Sequence, residues 1–318
     1  MLKNEDDLSW LARKADALRT EDSLETRKED ERIRARVDSL LFSLKVEGVL
    51  GSLEDRTMYT KRLPPGCVGC LDGEGSNLYV TGKCTRDCFF CFNTKPRTDE
   101  TVVHGIKIAE PEEAAAIVER FGLTSIGISG GEPLLYPERV VRILRSLRSL
   151  KRPLRIDLYT NGDLASDERL EELKSAGLDS LRFNGVAREF DLEPVFRALR
   201  VFPETTVEIP VVPKRMDELK EMVLALDRGG VPFLNIHELF ACRENDARVA
   251  GRGYAGKEGA QSETLQWKPV AEGEAAALEL LLFSLRNAKT LSTYYCSCRT
   301  QELIGRRGLE RRLSDPRP

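Results

Sequence analysis

Cys84, Cys88 and Cys91 stand in the order C-x3-C-x2-C directly after an apolar run at residues 78–81, and Gly130-Gly131-Glu132-Pro133 closes a second apolar segment at residues 124–129. Both motifs therefore fall where a strand ends. In parallel β/α folds the loops after the carboxyl ends of strands carry the active site, so the pairing constrains fold and site together. Three thiolates within eight residues can hold three irons of a four-iron cubane, whereas the usual protein-held cluster has four cysteine ligands. The fourth iron is left open for chemistry. C-x-x-C halves also serve zinc, and three-cysteine sets occur in structural metal sites.

Apolar strand candidates begin near residues 78, 124, 154, 179, 205 and 232, mostly about 25 to 30 residues apart, with helical stretches between them. Glu110-Pro111-Glu112-Glu113 opens one helix and Gly122 closes it; Ser166-Asp167-Glu168 opens another, which Gly177 terminates. The first interval is the longest, and its excess houses the cysteine loop between Lys83 and Pro96. Six units rather than eight predict an α/β fold, a partial (βα)6 TIM-like barrel open along one side. Residues 1–75 read as a helical N-terminal extension ending in a C-x2-C knuckle, residues 76–241 as the core, and residues 242–318 as a C-terminal extension. In the N-terminal part, Leu8, Leu11, Ala15 and Leu18, then Ile33, Val37, Leu40, Leu41 and Leu44, recur at helical spacing.

With Phe90 just before the last cysteine and the double glycine with glutamate at a second strand end, the sequence resembles the radical S-adenosylmethionine (SAM) enzymes, especially their activating-enzyme branch. The resemblance covers residues 76–241. It implies that Cys84, Cys88 and Cys91 bind a site-differentiated 4Fe-4S cluster, and that Gly130, Gly131, Glu132 and Pro133 receive the amino group of SAM. It also implies that Phe90 lies beside adenine. Weaker matches follow in order: Tyr159-Thr160-Asn161-Gly162, Arg182-Phe183-Asn184 and Pro210-Val211-Val212-Pro213. Thr160, Asn161, Arg182 and Asn184 are the polar groups expected to hold the ribose and carboxylate of SAM, with Arg182 as the best carboxylate clamp. The implied activity is reductive cleavage of SAM to a 5'-deoxyadenosyl radical that abstracts hydrogen from a substrate. A reductant such as flavodoxin or ferredoxin is implied with it. A protein or peptide, a nucleoside and a small metabolite all stay open as that substrate. The alternative is a closed iron-sulfur electron-transfer or zinc-binding module, which would not require residues 130–133.

Cys242 follows His237 and Glu238 at the same mouth, where a hydrogen-atom donor role, a substrate contact and simple burial are all open. Cys67 and Cys70 precede the first strand and Cys296 and Cys298 lie near the carboxyl end. If the chain ends converge, these two pairs complete a tetrathiolate for a second 4Fe-4S cluster or for zinc. Eight cysteines without disulfide use are expected in a reducing compartment, and the acidic residues 1–10 read against a signal peptide, so the expected location is cytoplasmic. The longest apolar stretch, residues 275–283, contains Glu279 and is too short to span a bilayer, so no membrane partner is expected. A net charge of −3 gives no global attraction to nucleic acid. Residues 243–273 show no period and read as a long loop, and the arginines of residues 299–312 read as one face of a solvated amphipathic helix.

Overall fold

A computed structural model describes residues 24–257 and 267–313. Among them, seven parallel strands lie side by side in chain order: β1 (Gly75–Tyr79), β2 (Ser125–Ser129), β3 (Arg155–Thr160), β4 (Ser180–Phe183), β5 (Thr206–Val211), β6 (Phe233–Glu238) and β7 (Ser292–Cys296). The first six match the expected strand starts within a few residues. The seventh was not expected, because Ser-Thr-Tyr-Tyr-Cys is not an apolar run; it pairs parallel with β6, Phe233 opposite Ser292 through Ile236 opposite Tyr295. Antiparallel strands extend both sides of this partial barrel. Thr57–Tyr59 and Leu50–Ser52 lie beyond β7, and Thr101–Val103 and Ile106–Ile108 beyond β1. Both predicted extensions thus contribute strands to one continuous sheet.

The helices are α1 (Leu24–Val46), α2 (Pro65–Leu71), α3 (Glu113–Arg120), α4 (Pro137–Arg148), α5 (Asp167–Ser175), α6 (Glu193–Leu199), α7 (Met216–Arg228), α8 (Asp246–Ala250), α9 (Gly273–Asn287) and α10 (Cys298–Leu313). Their ends follow local chemistry. Ser166 caps α5 by accepting from the Arg169 amide at 3.2 Å, and Gly177 leaves it at φ +98°, where other residues are strained. Along α1, Val37 and Leu44 are buried at the expected spacing; Leu8, Leu11, Ala15 and Leu18 lie outside the described residues. The α9 helix packs against α1, α7 and strands β6 and β7, which explains why ten of its fifteen residues are buried.

Side chains alternate across the sheet. One face carries Ile126, Ile128, Ile156, Leu158, Leu181, Val207, Ile209, Leu234 and Ile236, each at most 1% exposed, in the main hydrophobic core. Each such burial contributes about 1.5–3 kcal/mol. The opposite, inner face is polar: Asp157, Arg182, Glu208, Asn235 and His237 are joined there by hydrogen bonds across four strands. Helix α2 lies on that inner face. The residues read as a knuckle therefore form a helix with Pro65 at its first turn, where a missing amide costs nothing.

Two further segments differ from expectation. Residues 243–273 contain α8 and part of a small sheet in which Phe240–Ala241 pairs with Lys268–Pro269, while residues 258–266 lie outside the described range. Helix α10 is anchored on α2 and its C-terminal turn, Arg307 bonding the Leu71 carbonyl and Arg311 pairing with Glu74 at 3.0 Å. Among the described residues no helix is long and apolar enough to cross a membrane.

Candidate functional site

The cysteine loop leaves the end of β1 and runs beside the glycine turn that leaves β2. The two are laced backbone to backbone: the Gly131 amide donates to Thr81 O at 2.7 Å and the Glu132 amide to Lys83 O at 2.8 Å. A Cβ on Gly130 would stand 2.4 Å from Thr81 O, and one on Gly131 2.0 Å from Lys83 O. The glycines thus admit the protein's own chain. At the far end of the loop, Asn93 Nδ2 donates to Gly130 O at 2.8 Å.

The C-terminal extension supplies a second set of fastenings. Arg248 donates to Cys88 O at 2.6 Å and Cys91 O at 2.9 Å, and Asn245 Nδ2 to Phe90 O at 3.0 Å. Neither residue was singled out in the sequence, since α8 is five residues long and carries no periodic signal. On the β3 side, Asn161 Nδ2 reaches Thr85 Oγ1 at 2.8 Å and Cys84 Sγ at 3.7 Å, and Asp163 binds Thr85 and Arg86. Arg248→Ala is expected to speed iron loss from the loaded loop to a chelator ten- to a hundredfold, the scale of losing one charge-assisted bond of about 1.5–3 kcal/mol. Release at the wild-type rate would exclude a bracing role.

These contacts fix carbonyls and leave the thiols free for ligation. Burial, then the neighbouring Cys91 and Cys84, push the Cys88 thiol up to about 11, and burial also raises Cys84. A cluster of mutually repelling thiols is relieved by a bound cation, which deprotonates its ligands. The donor set therefore fits an iron-sulfur cluster. Among the described residues no three His, Cys, Asp or Glu side chains converge as the ligands of a single ion would.

A cavity of about 410 Å³ adjoins the loop, walled by Arg86, Cys88, Phe89 and Phe90, and from later strand ends by Val186, Lys214, Arg215, Arg252 and Tyr254. Phe90 lines the cavity and meets Phe89 edge-on at 5.3 Å. Its volume suits a small-molecule ligand.

Other anticipated residues are engaged differently. The guanidinium of Arg182, 4% exposed, is paired with Asp157 at 2.7 Å and Glu208 at 2.8 Å on the inner face, so it has no free edge for a ligand carboxylate. Which face of β4 it occupies is what the sequence could not show. The Glu132 carboxylate is fully buried and accepts from Leu134 N, Thr160 Oγ1 and Asn161 N at 3.1, 2.9 and 2.8 Å. Thr160 and Glu132 thus brace one another, and the expected ammonium contact has no open face here. Pro133 is buried at the start of the short helix Pro133–Leu135. Asn184 Oδ1 accepts from Ala187 N at 3.0 Å and its amide donates to Thr160 O at 3.2 Å, both structural bonds. Cys242 opens the turn into α8, its amide donating to Asn245 Oδ1 at 2.8 Å, and it is not part of the cavity wall. His237 holds Glu208 at 3.0 Å; burial opposes its charge, but the Cys296 side chain and Glu208 outweigh it and keep the ring protonated well above its ordinary range.

Burial pushes the Glu132 carboxyl up to about 7, against its hydrogen bonds. The folded chain holds this proton more tightly than the unfolded chain, so the resulting stability is full at acid pH and is lost as pH rises from about 4.5 towards 7. A shift of this size is worth about 3 kcal/mol. Glu132→Gln is expected to flatten that stretch of the stability curve of the metal-free protein in urea titrations; an unchanged slope would rule the assignment out.

Residues 78–185, which include the cysteine loop and the glycine turn, match the Radical SAM superfamily. These residues are a radical SAM domain. A candidate glycyl-radical enzyme activating enzyme of Methanocaldococcus jannaschii is 29% identical over 232 residues, covering 69% of this chain and 60% of that protein. A GTP 3',8-cyclase of Peptoclostridium acidaminophilum is 30% identical over 145 residues, covering 41% of this chain and 44% of the relative. The chain thus spans three fifths or less of the length of these relatives. Among solved structures, the FeFe-hydrogenase maturase of Carboxydothermus hydrogenoformans superposes with a TM-score of 0.48 at 12% identity, over 96% of this chain and 75% of the other. The radical SAM segment ends just after β4; the strands that complete the cavity wall, and the arginine that braces the loop, lie beyond it.

Proposed function

We propose that this protein is a radical SAM enzyme that binds a 4Fe-4S cluster at Cys84, Cys88 and Cys91 and SAM in the adjoining cavity. The single observation that carries the reading is a three-thiol loop, fixed through its carbonyls by Arg248 and Asn245, with Cys88 and Phe90 in the wall of a 410 Å³ cavity. When bound, the cluster supplies the electron that cleaves SAM to methionine and a 5'-deoxyadenosyl radical, which takes hydrogen from a substrate. The chain's own work is positional. Asn161 and the Arg86 amide direct N–H groups at Cys84 Sγ, at 3.7 and 3.5 Å, which would stabilise its thiolate. The rings of Phe89, Phe90 and Tyr254 offer apolar walls that keep water from the reacting centre, and Lys214 and Arg252 bring positive charge to its rim.

A protein reductant of the flavodoxin or ferredoxin type and a cytoplasmic location accompany this reading. The activating-enzyme relative favours a protein substrate, with nucleosides and metabolites as the other candidates. Cysteines drawn from the two remaining pairs add a second centre, iron-sulfur or zinc. The test is anaerobic reconstitution with iron, sulfide, dithionite and SAM: 5'-deoxyadenosine should form, and Cys88→Ala should abolish it. A fully iron-loaded protein that binds SAM without cleaving it, or does not bind SAM, would overturn the proposal.

A further inference from the structure

Besides Cys242, four cysteines lie outside the site above, and the structure sorts them three to one. Cys67 and Cys70 are one turn apart on α2 and so share a face. Cys67, Tyr294 and Cys296 form one buried group, and Cys70 lies close enough to Cys67 and Cys296 to interact with both electrostatically. Cys298 also feels Cys296, two residues before it, but its own contacts go to Glu238. Its amide donates to Glu238 Oε1 at 2.9 Å and its thiol lies against the same carboxylate, which also takes the hydroxyl of Tyr295 from the helix-covered side of β7.

We infer that Cys67, Cys70 and Cys296 hold a second iron-sulfur cluster on the inner face of the barrel, with Cys298 excluded, so that one iron carries no cysteine. This deepens the second-centre part of the reading above and does not depend on SAM cleavage. Three observations carry it. Cys67 Sγ accepts from Arg182 at 3.4 Å and Asn235 at 3.3 Å, two N–H donors on one sulfur, as suits a metal-bound thiolate better than a neutral thiol. Asn235 Oδ1, on a residue 1% exposed, has no hydrogen-bond partner, and the Tyr294 hydroxyl, equally buried, meets only the Cys296 thiol, while Asn235 Nδ2 touches Cys67 and Tyr294 packs against Cys67 and Cys296. A buried polar atom is rarely left so, and one beside the same thiols points to a missing occupant. Finally, α2 is pressed onto the inner face so closely that a Cβ on Gly66 would stand 2.2 Å from Asp157 Oδ2 and one on Gly69 2.6 Å from Ser125 Oγ.

Zinc fits less well. It gathers four ligands around one ion with sulfurs about 2.3 Å from it, and no three candidate side chains among the described residues converge in that way. A cluster instead spreads its cysteines over separate irons.

The experiment uses the full chain with Cys84, Cys88 and Cys91 all changed to alanine, reconstituted anaerobically with iron and sulfide. About four irons and four sulfides per chain should remain, the complement of one cubane. In that background Cys298→Ser should keep them and Cys67→Ser or Cys296→Ser should lose them, with melting curves reporting whether each variant folds. Should Cys67→Ser not fold, Cys70→Ser carries the same comparison. One zinc without sulfide, no metal in the folded protein, or iron loss on Cys298→Ser equal to that on Cys67→Ser would each overturn the inference. Because this background cannot carry the first cluster, failure here is separable from failure of SAM cleavage in the wild type.

Discussion

Arg182→Ala is expected to lower the unfolding free energy by about 3–5 kcal/mol, the cost of leaving buried charges without their partner. Its guanidinium bridges Asp157 on β3 and Glu208 on β5 at 2.7 and 2.8 Å, with Cys67 of α2 at 3.4 Å, so one side chain ties three strands and the inner helix. Without it, two buried carboxylates lose the cation between them, and the cation left to Asp157 is Arg155 at 2.8 Å and to Glu208 the protonated His237 at 3.0 Å. Burial opposes ionisation of Glu208, yet His237 and Arg182 outweigh it and hold this carboxyl down at about 2. Removing the arginine therefore favours proton uptake by Glu208, and the loss should grow as pH rises. Arg182→Lys keeps the charge but cannot serve both carboxylates with a planar fork, so it should recover only part of the loss. Urea unfolding of the metal-free protein at several pH values measures this; a loss below about 1 kcal/mol would mean that the pairs are relaxed by water, as exposed pairs are.

That bridge also marks where the sequence was legible and where it was not. The strand starts at residues 78, 124, 154, 179, 205 and 232 could be read because each strand buries Ile, Leu or Val on the helix-covered face, and this periodicity survives in one dimension. The inner face leaves no such trace. Its Asp, Arg, Glu, Asn and His resemble ligand-binding groups in a string of letters, and Arg182 was read as a carboxylate clamp when its carboxylates are the protein's own. Strand β7 escaped for the same reason: Ser292, Tyr294 and Cys296 face the polar interior, and Thr293 and Tyr295 bond Ser284 and Glu238 on the other side. Three cysteines in one loop, by contrast, depend on no tertiary partner for their meaning. The residues that hold that loop, Asn245 and Arg248, come from a segment without periodicity some 150 residues away, and only the fold brings them near.

Gly131→Ala is the second change of large expected effect, and it separates two reasons for a glycine. Gly130 has φ +132°, a conformation costly for any side chain, whereas Gly131 is required by space alone: its Cβ would sit 2.0 Å from the Lys83 oxygen and 2.5 Å from its carbon. Those are backbone atoms of the residue before Cys84, and they cannot rotate aside. Overpacking costs about 1–3 kcal/mol where side chains can adjust, and more where they cannot. The strain should therefore be released by parting the loop from the turn, which breaks the Glu132 amide bond to Lys83 O and displaces Cys84. The expected result is a folded protein that retains less than about half of the first cluster's iron and loses 5'-deoxyadenosine formation by about a hundredfold, the scale of a misplacement near 1 Å. Gly308→Ala, whose Cβ would meet nothing within 4 Å in the exposed helix α10, controls for substitution itself and should stabilise slightly. If Gly131→Ala loads iron and turns over like this control, the contact between the two loops does not set the position of Cys84. The cysteines would then have to be placed by Arg248, Asn245 and Asn161 alone.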